Sequence, residues 1–74
     1  MDIIFTKHAK TRMFQREIDE TEIKLTVENA DIIQTSFGER IAVRKKFSNK
    51  ALEVIYKKSG KQIIIITCYW IKEG

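Results

Sequence analysis

The sequence contains no proline, one cysteine and one histidine among its 74 residues. Without proline, nothing in the chain forbids long regular elements. The single cysteine, Cys68, excludes an internal disulfide, and one cysteine with one histidine, His8, cannot build a Cys/His zinc site. The three glycines do not form a phosphate-binding loop, and no two carboxylates have a spacing that would indicate a catalytic pair. A metal-dependent hydrolase is therefore not expected, and neither a metal nor another cofactor is predicted.

The sequence also lacks a long apolar segment. Its longest apolar run, IIIITCYWI, is too short to cross a membrane as a helix, and its first residues do not resemble a signal peptide. The length allows one small domain, predicted over residues 1–74, whose core must use nearly all the large apolar side chains. We expect a cytoplasmic protein with no membrane partner.

The charges are only moderately unbalanced. Fourteen Lys and Arg stand against ten Asp and Glu, which gives a formal net charge of +4. This excess fits an anionic partner such as nucleic acid, but it fits ordinary solubility equally well. Charge alone therefore does not choose between a nucleic-acid binder and another small protein.

The first part of the chain predicts a strand and two helices. DIIF predicts a short first strand, and Thr6 suits the N-cap of a helix over about residues 7–17. Asp19, with Glu22 three residues later, has the spacing of a capping box, which predicts a second helix that ends near Asn29.

The remainder of the chain has the period of strands. The large aliphatic residues are mostly β-branched, with thirteen Ile and three Val against two Leu. RIAVRKKF and ALEVIYKK alternate, and turns are predicted at SFGE, at SNK and at a two-residue hairpin loop, Ser59–Gly60. The last segment, KQIIIITCYWIKE, is apolar on both faces, which predicts a central strand or one covered on both sides.

These elements together predict an α+β fold: a short N-terminal strand and two helices packed on one face of an antiparallel four-strand meander. The opposite face of the sheet would carry mostly charged side chains, namely Arg40, Arg44, Lys46, Glu53 and Lys57.

The first predicted helix aligns His8, Arg12 and Arg16 at intervals of four residues. Residues spaced in this way form one stripe along a helix. In a structural interpretation, the aliphatic parts of the arginine side chains lie on apolar surface and their guanidinium groups pair with nearby glutamates. A functional interpretation has the stripe hold a phosphate, because arginine offers a planar two-pronged donor and histidine titrates near neutral pH.

The stretch HAKTRMFQREIDETEI resembles the opening of a family of small bacterial domains of unknown function. The signature of that family is a His, an Arg four residues later, and a second Arg shortly before an Ile and an acidic helix start. His8, Arg12, Arg16 and Ile18 match it. The strand pattern is also similar, so the resemblance covers nearly the whole chain, although Glu17 stands where the family usually has Gly.

That family resembles the BrnT and RelE/ParE toxins of bacterial toxin–antitoxin pairs. The resemblance implies a RelE/ParE-like fold, a cytoplasmic location and an antitoxin-like protein partner. Many members of the superfamily cleave mRNA, although kinship of fold does not establish chemistry. An apolar patch around Leu25 and the long apolar strand is expected to contact the partner, or to be hidden in a homodimer.

RNA cleavage by attack of a 2′-hydroxyl needs a base, an acid and cations, but in principle no metal. The residues expected to serve these catalytic roles are His8, Arg12, Arg16 and Tyr69. The residues expected to contact RNA elsewhere are Arg40, Arg44, Lys46, Lys57 and Trp70, the last by stacking on a base. Because Tyr69 and Trp70 are adjacent on a strand, they point to opposite faces, and one of them is expected in the core.

The leading hypothesis is a toxin-like, RNA-interacting protein that could act as a metal-independent ribonuclease. Two alternatives remain open, a non-catalytic protein-interaction module of the same fold and a housekeeping nucleic-acid binder. A neighbouring gene for a small antitoxin-like protein would favour the first hypothesis.

Overall fold

The computed structural model describes residues 2–72 of the chain. The elements, in order, are β1 (Asp2–Phe5), α1 (Lys7–Arg16), α2 (Glu20–Glu28), β2 (Ile32–Thr35), a short 3₁₀ helix (Phe37–Glu39), β3 (Ile41–Phe47), β4 (Lys50–Ser59) and β5 (Gln62–Lys72). They correspond to the predicted elements, with two differences. The β4–β5 loop is Gly60–Lys61, one residue later than predicted, and the strand end predicted at Glu73 lies outside the described residues.

The strands form one sheet in the order β1-β5-β4-β3-β2. Strands β2 to β5 are an antiparallel meander, and β1 pairs in parallel with the first residues of β5. The predicted α+β fold is confirmed, and the N-terminal strand makes the sheet a mixed one of five strands. Among the described residues, no helix is both long enough and apolar enough to cross a membrane.

Both helices begin where their capping residues predict. The hydroxyl oxygen of Thr6 accepts a hydrogen bond from the N–H of Ala9 at 3.1 Å. The carboxylate of Glu22 accepts one from the N–H of Asp19 at 2.9 Å, which is one half of the predicted capping box. Helix α1 ends at Glu17, whose left-handed backbone (φ 53°) turns the chain toward α2.

The core lies between the two helices and one face of the sheet. Ala9 of α1 and Ile23 of α2 are fully buried against Leu52, Val54 and Ile65 of the strands. We call the opposite side of the sheet the outer face, and no described α-helix covers it. The first residues of β5, 62–65, lie between β1 and β4, as predicted for a central strand, whereas the later residues pair only with β4 in the described sheet. The apolar side chains of β5 on the outer face are only partly buried, because no helix packs there.

A β-bulge interrupts the pairing of β5 with β4. Ile55 lies opposite Thr67 and Tyr56 lies opposite Ile65, so Ile66 has no partner in β4. After the bulge, the alternation of β5 side chains between the two faces of the sheet shifts by one residue. The extra residue changes the register by one, and each later side chain therefore points to the opposite face. The bulge therefore turns Cys68 and Trp70 toward the helices, and it turns Thr67 and Tyr69 toward the outer face.

Thr6 joins the start of α1 to this bulge. Besides capping the helix, its hydroxyl donates a hydrogen bond to the carbonyl oxygen of Ile66 at 3.1 Å, and its backbone N–H donates one to Ile65 at 3.1 Å. One side chain thus satisfies a helix N–H and the carbonyl of the bulged residue.

Thr6→Val should lower the free energy of unfolding by about 1–2 kcal/mol, because it keeps the shape of the side chain while removing the capping oxygen. Thermal and urea unfolding measure this loss. Thr11→Val is the matched control at α1, because the exposed Thr11 hydroxyl donates a hydrogen bond to the carbonyl of Lys7 one turn earlier and such bonds add little stability. Equal effects of the two substitutions would contradict the role assigned to Thr6.

Candidate nucleic-acid interface

Helix α1 lies beside the part of β5 that β1 leaves unpaired. Pairing with β1 ends at Ile65, where Thr6 follows β1 and starts the helix. One end of α1 is held there, and the other end is held by Trp70, whose indole Nε1 donates a hydrogen bond to the carbonyl oxygen of Arg16 at 3.0 Å. The helix therefore runs alongside β5 from the bulge to Trp70, and its polar stripe faces the border of the sheet.

A groove of about 560 Å³ lies along this border. We call it the arginine groove; its lining residues are Arg12, Arg16, Thr67, Tyr69 and Trp70. Within residues 2–72, neither arginine forms an ion pair with a carboxylate, so the glutamate pairing expected from the structural interpretation is not found. Two guanidinium groups that face one groove and have no anionic partner form a site that suits an anion.

The hydroxyl of Tyr69 is held at the groove by a carboxylate on the neighbouring strand. Tyr69 and Glu53 are directly opposite on β5 and β4, and the Tyr69 hydroxyl donates a hydrogen bond to Glu53 Oε2. Arg44, opposite Glu53 on β3, holds the other carboxylate oxygen through its Nη2 at 2.8 Å and its Nε at 3.2 Å. The three side chains therefore form a hydrogen-bonded row across the outer face.

This row affects the protonation of Tyr69. The hydrogen bond to Glu53 raises the pKa of the Tyr69 hydroxyl above its usual value; burial and the charge of Glu53 act in the same direction, while the charge of Arg44 opposes them. Tyr69 therefore stays neutral at physiological pH. Its hydrogen points at Glu53, so the lone pairs of its oxygen are the part of the hydroxyl that a ligand can reach.

Trp70 points to the opposite side of β5 and packs at the edge of the core. Its ring meets Phe47 edge to face at 6.0 Å between centroids, and the Nζ of Lys50 lies 3.9 Å from its ring centre. This confirms that one of the two adjacent aromatic residues packs in the core. Trp70 also forms a wall of the arginine groove, but its ring is already occupied by these contacts.

Cys68 lies beneath the groove and is fully buried. Burial raises the pKa of its thiol from 9.0 to about 11, and the positive charge of Arg12 only partly opposes this. A thiol in that state is not a nucleophile at neutral pH. The residue is therefore a small apolar part of the core, as the sequence predicted.

The remaining candidate residues do not line the arginine groove. Arg40 and Lys57 line a second groove at the other end of the bulge. His8 is exposed one turn before Arg12, on the same helix face, and it is not among the residues lining the arginine groove. Lys46 is exposed on β3, and its backbone N–H donates to Asp31.

Glu53 was not among the site residues predicted from the sequence. The alternating pattern placed Arg44 and Glu53 on the same face, but it could not show that they are opposite each other or that Tyr69 continues the row. That information depends on the register of β3, β4 and β5, and in β5 the register depends on the bulge.

A mixed five-stranded sheet with two helices on one face defines the fold, and comparison with solved structures identifies a toxin with a similar one. The Brucella abortus ribonuclease toxin BrnT, known from a crystal structure at 1.1 Å resolution, superposes with a TM-score of 0.75 over 99% of each chain, at 17% sequence identity. At this identity the likeness shows the fold alone, which is therefore a BrnT-like α+β fold.

The chain belongs to the family described as a domain of unknown function, DUF4258, whose model matches residues 5–70. The resemblance to a family of small domains of unknown function is thereby confirmed. A comparison with curated proteins finds no match.

Proposed function

We propose that this protein is a toxin-like RNA-binding protein of the toxin–antitoxin type, with residues 1–74 as one domain, and that it acts in the cytoplasm as a metal-independent ribonuclease. The observation that carries the proposal is the arginine groove, in which two guanidinium groups that have no carboxylate partner among residues 2–72 adjoin a tyrosine hydroxyl held by Glu53. The fold likeness adds support, because BrnT is described as a ribonuclease toxin.

Binding of RNA to the groove rests on phosphate recognition. Arg12 and Arg16 are one helical turn apart, so their guanidinium groups can contact the oxygens of one phosphodiester from the same side. Because both groups lack an anionic partner within the described chain, no ion pair has to be broken when a phosphate enters. The same two charges would stabilise the additional negative charge that develops on phosphorus during cleavage.

The cleavage step is attack of a ribose 2′-oxygen on the adjacent phosphorus. A bond forms between O2′ and phosphorus, and the bond from phosphorus to O5′ breaks, leaving a 2′,3′-cyclic phosphate and a 5′-hydroxyl. The oxygen of Tyr69 accepts the proton of the 2′-hydroxyl as its own proton passes to Glu53, so no tyrosinate accumulates. His8 gives a proton to the departing O5′.

Within this scheme Arg44 and Glu53 have different tasks. Glu53 is the final acceptor of the proton and fixes the direction of the Tyr69 hydroxyl. Arg44 is a positioning residue that acts through Glu53, because its two hydrogen bonds fix one carboxylate oxygen and leave the other for Tyr69.

A second candidate function, a non-catalytic interaction module, is favoured by the edge strand β2. Its two isoleucines are exposed, with 45% of Ile32 and 68% of Ile33 accessible, and β2 pairs only with β3 in the described sheet. An exposed edge with apolar side chains is suited to pairing with another chain. In the toxin hypothesis this surface would receive the antitoxin-like partner or a second copy of the protein. In the alternative, binding a partner is its only function.

RNA binding is tested with Arg12→Gln and Arg16→Gln. If each arginine contacts a phosphate, each substitution should weaken binding of a single-stranded RNA and lower the slope of log affinity against log salt by about 0.7. Fluorescence polarisation over a range of salt concentrations measures both quantities. Lys10→Gln, which removes an exposed charge elsewhere on α1, is the control for net charge. Slopes and affinities equal to those of the Lys10 variant would contradict RNA binding in the arginine groove.

A further inference from the structure

A second groove, of about 460 Å³, opens on the outer face, on the opposite side of the bulge from the arginine groove. We call it the phenylalanine groove, and its lining includes Thr6, Phe37, Arg40, Lys57, Ile64 and Ile66. We propose that this groove holds the nucleotide next to the one in the arginine groove, with its base stacked on Phe37 and its phosphate contacted by Arg40 and Lys57. This inference rests on the proposed function and names a second subsite for the same RNA strand.

The exposure of Phe37 has no explanation in the packing of the fold. Its side chain is 93% accessible, whereas the ring of Trp70, which lines the arginine groove, is in contact with Phe47 and Lys50. Every nucleic-acid base has a flat face, so an exposed ring on a basic surface binds single strands with little dependence on sequence. Phe37 is therefore suited to stacking, and its loss would not damage the core.

The turn that carries Phe37 is held in one conformation. Gly38 and Glu39 both have left-handed backbones, with φ angles of 65° and 62°, and the second of these is unfavourable for a residue with a side chain. The turn is closed by hydrogen bonds from Ser36 N–H to the carbonyl of Arg40 at 2.6 Å and from Arg40 N–H to the carbonyl of Phe37 at 3.3 Å. A fixed turn loses little conformational freedom when a base binds.

The charge of the groove matches a phosphate. Neither Arg40 nor Lys57 forms an ion pair with a carboxylate in the described part of the chain. Both lie beside the apolar surface of Ile64 and Ile66. An aromatic ring, apolar walls and two cations are the combination found where proteins hold single-stranded nucleic acid.

The two grooves meet at the bulge. Ile66 lines the phenylalanine groove and Thr67, the next residue, lines the arginine groove. Thr6, the N-cap of α1, lines the former and Arg12 of α1 lines the latter, and His8 comes between them in the chain. A strand with one nucleotide in each groove would therefore place their linking phosphodiester beside His8, which explains why a proton donor stands outside either groove.

Phe37→Leu tests the stacking contact, and Phe14→Leu is its matched control. Phe14 is also exposed (87%), but it lies on α1 two residues from Arg12 and Arg16, on a different face. The probe is an unstructured RNA octanucleotide, with affinity measured by fluorescence polarisation. We expect Phe37→Leu to weaken binding roughly 5- to 100-fold, Phe14→Leu to leave it unchanged, and Phe37→Tyr to restore it.

Parallel measurements on Arg12→Gln distinguish a failure of the second subsite from a failure of the proposed function. If Arg12→Gln weakens binding while Phe37→Leu behaves like Phe14→Leu, the proposed function stands and the second subsite is wrong. If neither Arg12→Gln nor Phe37→Leu weakens binding, the proposed function is itself wrong and the subsite fails with it. The double substitution Arg40→Gln with Lys57→Gln should lower the salt slope by about 0.7 if the two cations together contact the one phosphate of this subsite, and an unchanged slope would overturn that part of the proposal.

Discussion

Tyr69→Phe is expected to slow RNA cleavage by roughly 10²–10⁴-fold while leaving RNA affinity close to that of the unmodified protein. Under the proposed mechanism, the substitution removes only the oxygen that receives the 2′-hydroxyl proton, while the two arginines proposed to hold the phosphate remain. Cleavage of a short labelled RNA under single-turnover conditions measures the rate, and polarisation measures the affinity. Tyr56→Phe is the control, because Tyr56 is the other tyrosine of the chain and is buried on the helix side of the sheet.

His8→Ala should have an effect of similar size if His8 protonates the departing oxygen. A protein that keeps its full rate without His8 would remove that residue from the mechanism and leave the Tyr69–Glu53 pair in place. If the purified protein neither binds nor cuts RNA, alone or with ribosomes, the ribonuclease proposal fails and the interaction module is the remaining function. Growth and total RNA integrity after induced expression in a bacterial host provide the corresponding test in cells.

Leu52→Ala should lower the free energy of unfolding by about 2–5 kcal/mol. Leu52 is fully buried in the middle of the sheet, opposite Trp70, so truncation leaves a cavity that the neighbouring strands cannot close. A domain of this length has a total stability of roughly 4–11 kcal/mol, so the variant should be partly unfolded at moderate temperature. Chemical denaturation monitored by circular dichroism measures the loss.

Leu25 provides the control, because it is the only other leucine and is 38% exposed on α2. Leu25→Ala should cost less than about 1 kcal/mol, since surface substitutions away from special features have small effects. Equal costs at the two positions would contradict the assignment of the helix-facing side of the sheet as the core.

The elements of the fold could be predicted because each has a local signal. Thr6 and Asp19 mark the helix starts through capping chemistry that acts within three residues, and the alternation around Val43 and Val54 identifies the face that packs on the helices. These signals involve neighbours in sequence, so they can be read without knowing the fold.

The arrangement of the site could be predicted only in part. The helical spacing of Arg12 and Arg16 indicated that they share a face, and the structure places both in one groove. The contact between Tyr69 and Glu53 depends on a bulge within four consecutive isoleucines, and identical side chains give no indication of which residue is the extra one. The role proposed for Phe37 could not be predicted either, because an isolated aromatic residue in a turn has no pattern that separates it from ordinary surface.

The bond between Thr6 and the bulge has a consequence for how the chain acquires its structure. Since isoleucine occupies every position from 63 to 66, the β4–β5 hairpin can form with the extra residue at several of these positions at little difference in packing. The group that selects Ile66 is a hydroxyl 60 residues earlier in the chain. During synthesis, the N-terminal strand is made first, and its partner is the last described strand to leave the ribosome. We therefore expect strand pairing in β5 and docking of the N-terminal segment to occur as one late, cooperative step, and contacts this distant in sequence are associated with slow folding.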